Sequence, residues 1–215
     1  MNLTPLTRAP RADAERNRRR VLDAAARVFA ERGATATLND VARAAGVGVG
    51  TVYRKFPDKE ALLDALFDDK IDSLVRLADE ASMIDDAGAA IRGFLLGLME
   101  KRATDRGLDA ILTVPGRSVR FSEELGRQFA PTVDRLVARA IHAGELRPDF
   151  TGQEVCLLGF MVGKVADITR ITDPDAWRRY AQLLVDGTRP SAGTEPLSPG
   201  PLSFTDIAAA LGRAS

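Results

Sequence analysis

The stretch Gly46-Val47-Gly48-Val49-Gly50-Thr51-Val52-Tyr53-Arg54-Lys55-Phe56 decides the fold. Just before it, Leu38, Val41 and Ala42 share one face of a short helix, 38–45. Gly46 ends that helix, because glycine accepts the positive φ that turns the chain. Val47 can plug the gap between helices, and Gly48 can cap a second short helix, 49–55. In that helix Val52 and Phe56 are available to the core, whereas Thr51, Tyr53, Arg54 and Lys55 crowd hydroxyls and cations together. Two short helices joined by a turn centred on glycine make a helix-turn-helix. The turn alone is a weak signal. The donors beside it strengthen it, since they suit a major groove and its flanking phosphates.

The flanks agree. Val21, Leu22, Ala25, Val28 and Phe29 fall at helical spacing between Ala14 and about Arg32, and Gly33 supplies a stop. Residues 1–12, with Pro5 and Pro10, read as a mobile arm. Thr37 is an N-cap candidate with Asp40 three residues on, a capping box using Asp where Glu or Gln is usual. Phe56-Pro57-Asp58 breaks the second short helix and caps a longer one that begins near Lys59.

Residues 16–66 resemble the DNA-binding domain of the tetracycline-repressor (TetR) family. The stretch 46–56 is similar to that family's G-V-S-x-G-T-x-Y-x-x-F, and Asp58-Lys59-Glu60-Ala61-Leu62 to its [ST]-K-E-x-L. Val21-Leu22-Asp23-Ala24-Ala25 and Phe29-Ala30-Glu31-Arg32-Gly33 match upstream, with the expected spacing between blocks. One position departs: Gly48 stands where the family usually has Ser, so a capping hydroxyl is missing.

Composition sets the bounds. The chain has 215 residues, 45% hydrophobic, 28% charged and 6% aromatic, the balance of a folded, helix-rich chain of one or two domains. One cysteine, Cys156, and one histidine, His142, exclude an internal disulfide and a Cys- or His-rich metal cage. The uncharged run 155–163 is far shorter than the roughly 20 residues of a membrane helix, and the N-terminus does not read as a signal peptide. These features predict a soluble, cytoplasmic protein. Lys+Arg and Asp+Glu balance at 30 each, but residues 1–60 carry 12 basic against 7 acidic side chains. A basic N-terminal segment on an acidic body suggests an anionic partner for that segment, or simply a solvated helix face.

Further helices are expected at 58–82, 86–103, from Ser118 or Ser122 to His142 with a bend at Pro131, at 152–171 and at 175–188. Residues 109–114 read as a short apolar turn. Residues 190–201, rich in Pro and Gly, read as a loose linker, and 205–211 as either a short helix or a disordered tail. The chain divides accordingly into an arm (1–13), a helix-turn-helix domain (14–58), a helical regulatory and dimerisation domain (59–189) and a tail (190–215). The fold class is all-α.

No catalytic set can be assembled, because His142 has no recognisable partner and reads as a helix C-terminal residue. Cys156 reads as a small hydrophobe rather than an oxidation sensor. Asp68, Asp69 and Asp72 read as a solvated helix face rather than a cation site. Neither a metal nor a cofactor is expected. Helix 152–171 is apolar nearly all round, so it is buried on two sides. The second side is either another subunit or the chain's own core, and the pattern alone does not separate them.

The resemblance implies a homodimeric transcriptional regulator, most often a repressor, binding a near-palindromic operator with recognition helices roughly 34–36 Å apart. By position in the motif, Thr51 and Tyr53 face bases or phosphates, Gly48 and Val49 open the helix in the groove, and Arg54 and Lys55 add cations. Thr37 and Lys59 hold phosphates, and Arg18, Arg19 and Arg20 reach flanking ones. The family dimerises through its last two long helices, here about 152–171 and 175–188, with Leu157, Phe160, Val162, Leu183 and Leu184 as candidates; Gly159 and Gly163 would let two backbones approach. A small apolar or aromatic effector would lie among Phe94, Leu98, Met99, Leu112, Phe121, Phe129, Phe160 and Met161. The alternative is a ligand-binding or protein-interaction module of the same fold with weak or no DNA binding.

Overall fold

A computed structural model describes residues 9–105, 120, 123–191, 193, 195–203 and 206–207, and their regular structure is helical throughout. Helix α1 spans Ala9–Arg32 and is followed by a 3-10 turn, Gly33–Thr35. Helices α2 (Leu38–Ala45), α3 (Val49–Lys55), α4 (Lys59–Ser82) and α5 (Ala87–Thr104) come next. A π-helical turn, Leu125–Phe129, leads into α6 (Ala130–His142), then α7 (Gly152–Thr169) and α8 (Trp177–Gly187). The all-α class predicted from sequence is the one observed. Residues 109–114 lie outside the described residues.

Most boundaries follow from local chemistry. Asp58 and Asp86 accept hydrogen bonds from the backbone N–H groups of Ala61 and Ala89, which starts α4 and α5. Thr151 and Glu154 form a reciprocal capping box at the head of α7. Two expectations need correction. Helix α1 reaches back to Ala9 rather than Ala14, because Pro10 occupies the first turn, where a missing N–H removes no helical bond. The bend expected at Pro131 takes the form of a π-turn just before it: the N–H of Ala130 reaches back five residues to the Leu125 carbonyl. Phe129 is thereby fully buried, its ring 6.0 Å from that of Phe94.

The core runs from one end of the molecule to the other. Val21, Leu22, Val41 and Val52 fill the N-terminal end, and Leu62, Leu63, Leu66, Phe67 and Ile71 of α4 carry it into the helical bundle. There α5 lies against α7 along the Gly159–Gly163 edge. A Cβ on Gly159 would stand 3.2 Å from Cγ of Arg102, and one on Gly163 would stand 3.4 Å from the Arg102 carbonyl oxygen. These glycines therefore admit α5 of the same chain, and the expectation that they bring two subunits together is corrected.

The tail is not loose where it is described. Arg147 grips Asp149 through Nε and Nη2 at 2.5 and 3.0 Å. Its Nη2 also donates to the Glu195 carbonyl, while the backbone N–H of Leu197 donates to Asp149. The Arg147 hydrogen bond, aided by that of Leu197, holds the Asp149 carboxyl down to about 2. Further on, Ser203 and Asp206 cap a turn that buries Ile207.

Candidate nucleic-acid interface

Helix α2 is locked at both ends. The Thr37 hydroxyl accepts from the Asp40 N–H at 3.2 Å and donates to the Asp40 carboxylate at 2.7 Å, while the Thr37 N–H donates to the same carboxylate. Arg32 adds a contact to Asp40 at 2.8 Å. The Thr37 hydroxyl foremost, with Arg32 and Arg43 nearby, keeps the Asp40 carboxyl below its ordinary range. The anion at this helix N-terminus is thus the chain's own carboxylate. At the other end Gly46 adopts φ +63°, its N–H bonds the Arg43 carbonyl, and the N–H of Val47 bonds that of Ala42. These two bonds form a Schellman motif, and the half-buried Val47 packs on the core as the motif requires.

Helix α3 is held from below by Val52 and Phe56, both buried. Its N-cap Gly48 has no side-chain bond to offer. Val49 and Tyr53 are 44% and 46% exposed, large values for such side chains. Arg54 and Gly50 are exposed and Thr51 is half-buried. Thus Val49, Gly50, Tyr53 and Arg54 face outward on a helix that its neighbours hold in a fixed pose. Its last cation is engaged inward, since Lys55 Nζ donates to the Ala14 carbonyl at 2.7 Å and ties α3 to α1. Lys59, half-buried at the head of α4, lies 5.5 Å from the Phe29 ring centroid.

The basic face of α1 is largely committed to the protein. Arg20 donates to the Ala45 carbonyl and Arg19 to Asp69 of α4 at 3.4 Å. Two of the three arginines expected to reach phosphates are therefore structural in this conformation. No local pattern announces these bonds, because each spans at least 25 positions of sequence. Between α1 and α4–α5 lie two clefts of about 460 and 430 Å³, both lined mainly by charged side chains such as Arg18, Asp72, Arg76 and Arg27.

The residues suggested for an effector differ in exposure. Phe94, Leu98, Met99 and Phe129 are packed core, Met161 is 53% exposed, and Phe160 is half-buried under the Arg102 guanidinium, 4.3 Å from its ring. Leu112 and Phe121 lie outside the described residues. Burial pushes the Cys156 thiol up to about 12, with Arg102 pulling the other way, so it is neutral at pH 7.

The dimer candidates divide by face. Val162 is fully buried in the chain's own core and has no surface to offer a partner, which corrects that expectation. Leu157, Leu184 and Phe160 are half-buried and Leu183 is 56% exposed. Met161 and Ile168 on α7, Ile171 just beyond it, and Tyr180 and Leu183 on α8 are all exposed apolar side chains, and Ile168, Ile171 and Tyr180 were not among the dimer candidates. The signal was present as the alternating four- and three-residue spacing of Leu157, Met161, Lys164 and Ile168, but apolar residues on the other face masked it. No helix among the described residues is long and apolar enough to cross a membrane.

Comparison with known proteins agrees with this arrangement. Residues 21–66 match the model for bacterial regulatory proteins of the tetR family, and residues 86–190 the C-terminal domain of SbtR-like transcriptional regulators. Over 52 residues, 24% of the chain, it is 54% identical to the repressor LfrR of Mycolicibacterium smegmatis, spanning 27% of that protein. It is 30% identical over 62% of its length to the repressor KstR2 of Rhodococcus jostii, and this match spans 59% of KstR2. The crystal structure of the TetR transcription regulatory protein of Mycobacterium vanbaalenii superposes with a TM-score of 0.61 at 32% identity. That match covers 84% of this chain and 99% of the other. With the motif, the capped turn and nearly the whole length of a solved relative in agreement, the chain belongs to the TetR family of bacterial regulatory proteins.

Proposed function

We propose that the chain is a homodimeric, sequence-specific DNA-binding regulator, acting as a repressor that a small apolar or aromatic effector releases. The observation that carries this reading is α3, whose Val49, Gly50, Tyr53 and Arg54 face outward while buried Val52 and Phe56 anchor it in the core beside α2 and Lys55 ties it to α1. Residues 14–58 serve DNA binding, with Thr51, Tyr53 and Val49 toward bases, and Arg54, Lys59 and a released Lys55 toward phosphates, whereas Thr37 serves as the cap of α2 that Asp40 already occupies. Residues 59–189 serve dimerisation and effector control. Met161, Ile168, Ile171, Tyr180 and Leu183, exposed on or beside two helices that pack on each other, support a second copy of the chain as the partner, since exposed apolar surface marks an interaction site. The effector need only prefer the conformation whose helix spacing mismatches the operator. Its binding groups are drawn from Phe94, Leu98, Met99, Phe129 and Phe160. Family membership supports a cytoplasmic location.

The test is selection of duplexes from random DNA by the full chain, followed by an anisotropy titration. A twofold-symmetric site should emerge. Its affinity should fall roughly 10³-fold or more between 50 and 200 mM salt if six or more phosphates are neutralised per dimer. No enriched site and a flat salt response together would favour the ligand-binding module without DNA function.

A further inference from the structure

Only three residues separate the end of α3 from the start of α4, so the direction of the first turns of α4 dictates where the recognition helix points. Those turns are fastened from the other side by Arg120. Its Nη1 donates to Asp64 at 2.6 Å, its Nη2 to Asp68 at 3.4 Å, and its guanidinium carbon lies 4.5 Å from the Phe67 ring centroid. Positions 64, 67 and 68 form one face of α4, and a planar guanidinium is suited to bridging two carboxylates while stacking on a ring. A second fastening follows, Lys70 with Asp105 at 2.5 Å, where α5 ends.

We propose that Arg120 is a positioning residue that sets the separation of the two recognition helices, and with it the half-site spacing that the dimer accepts. This rests on the operator-binding reading above. The carboxylates around the clamp supply the physical contrast. Asp64, Asp72 and Glu124 each lie close enough to act on Asp68, so removing the Arg120 charge leaves Asp68 of α4 facing Glu124, a repulsion between α4 and the segment before α6 where there was an attraction. The guanidinium and both its partners are well exposed, and exposed pairs add little to global stability. The clamp therefore governs direction more than folding.

The experiment uses the full chain and the symmetric duplex that the wild type selects, together with versions carrying one base pair more or less at its centre. One base pair turns a half-site by about 34° and shifts it by about 3.4 Å. The wild type is expected to lose affinity about tenfold or more on both altered duplexes, because DNA must be deformed to restore the spacing. Arg120→Gln is expected to lose about threefold or less, with a thermal midpoint near that of the wild type. The pair Asp64→Asn with Asp68→Asn breaks the same clamp from the other side and should relax spacing in the same way. Arg120→Lys, which keeps the charge without the fork, should fall between. If both clamp-breaking variants retain the full spacing penalty, the proposal is overturned. Should Arg120→Gln fail to fold, the Asn pair alone decides. A wild type that selects no symmetric DNA at all removes the parent reading instead, and this inference with it.

Discussion

Nη2 of Arg20, on α1, donates to the carbonyl oxygen of Ala45, on the last turn of α2, across 2.9 Å. The contact satisfies a helix C-terminal carbonyl with a cation, which also complements the dipole there. Arg20→Met keeps the packing of the stem and removes the bond. It should cost roughly 1.5–3 kcal/mol, the range for hydrogen bonds to charged groups, visible as a lower urea midpoint. The salt slope of operator binding should stay as in the wild type. A slope lower by about one per subunit would return Arg20 to the phosphates.

Tyr53→Ala and Arg54→Gln should differ in kind. Both side chains are exposed on α3, but one offers a ring and hydroxyl and the other a charge. Loss of Tyr53 should reduce discrimination between operator and random DNA by roughly 1–3 kcal/mol per half-site. Loss of Arg54 should weaken both DNAs alike and flatten the salt slope. Titrations of each variant on both DNAs at several salt concentrations separate the two; identical profiles would refute the assignment.

Gly48→Ser tests the one departure from the family motif. The backbone at Gly48 has φ −64° and ψ 138°, open to any residue, and a Cβ there would come no closer than 3.8 Å to another group. A serine should cap α3 and stabilise the fold by a few tenths to about 1 kcal/mol. Urea unfolding measures this directly. A destabilised variant would mean that the turn needs its glycine for a reason other than conformation.

How far the sequence foretold this region depends on the range of the interactions. Helices α2 and α3 are predicted to the residue because their signals are local: Thr37 with Asp40, the positive φ of Gly46, the Pro57 break. The inward residues Leu38, Val41, Ala42, Val52 and Phe56 follow from the same spacing and are all buried. What fails are choices between partners of equal chemistry. Whether Arg19 meets a phosphate or Asp69, whether Gly163 faces a second subunit or α5, and whether Val162 or Ile168 points outward depend on tertiary placement. A helix that is apolar all round gives no phase from which to decide.

Ile168→Glu with Leu183→Glu and the single change Gly163→Val should now part company. The first pair alters exposed positions and should give a folded monomer in sedimentation, with operator affinity lost because two half-sites cannot be engaged together. The second crowds the α5 backbone and should cost roughly 1–3 kcal/mol of stability without changing the subunit count of the folded fraction. A dimeric Ile168/Leu183 variant would move the interface elsewhere.

The tail clamp carries a pH signature. The Asp149 carboxyl titrates lower in the folded chain than in the unfolded one, so its stabilising effect is complete above the ordinary value of 3.8 and is lost as pH falls toward about 2. At neutral pH Asp149→Asn should mimic that loss. Limited proteolysis near Leu197 should be faster in the variant at pH 7 than in the wild type, and equal rates would show that the tail is held by other contacts.

Gly159 and Gly163 of α7 have a consequence for how a shift inside the bundle would reach its surface. Because α5 nests into the side of α7 that lacks Cβ atoms, one helix about 10 Å thick separates the buried Leu98–Arg102 layer from the exposed Met161–Ile168 stripe. Among the described residues no further element stands between them to absorb a shift. A molecule that wedged α5 from α7 by even part of a side-chain width would reorient the outer surface by a comparable amount, and with it any second copy seated there on the dimeric reading proposed above.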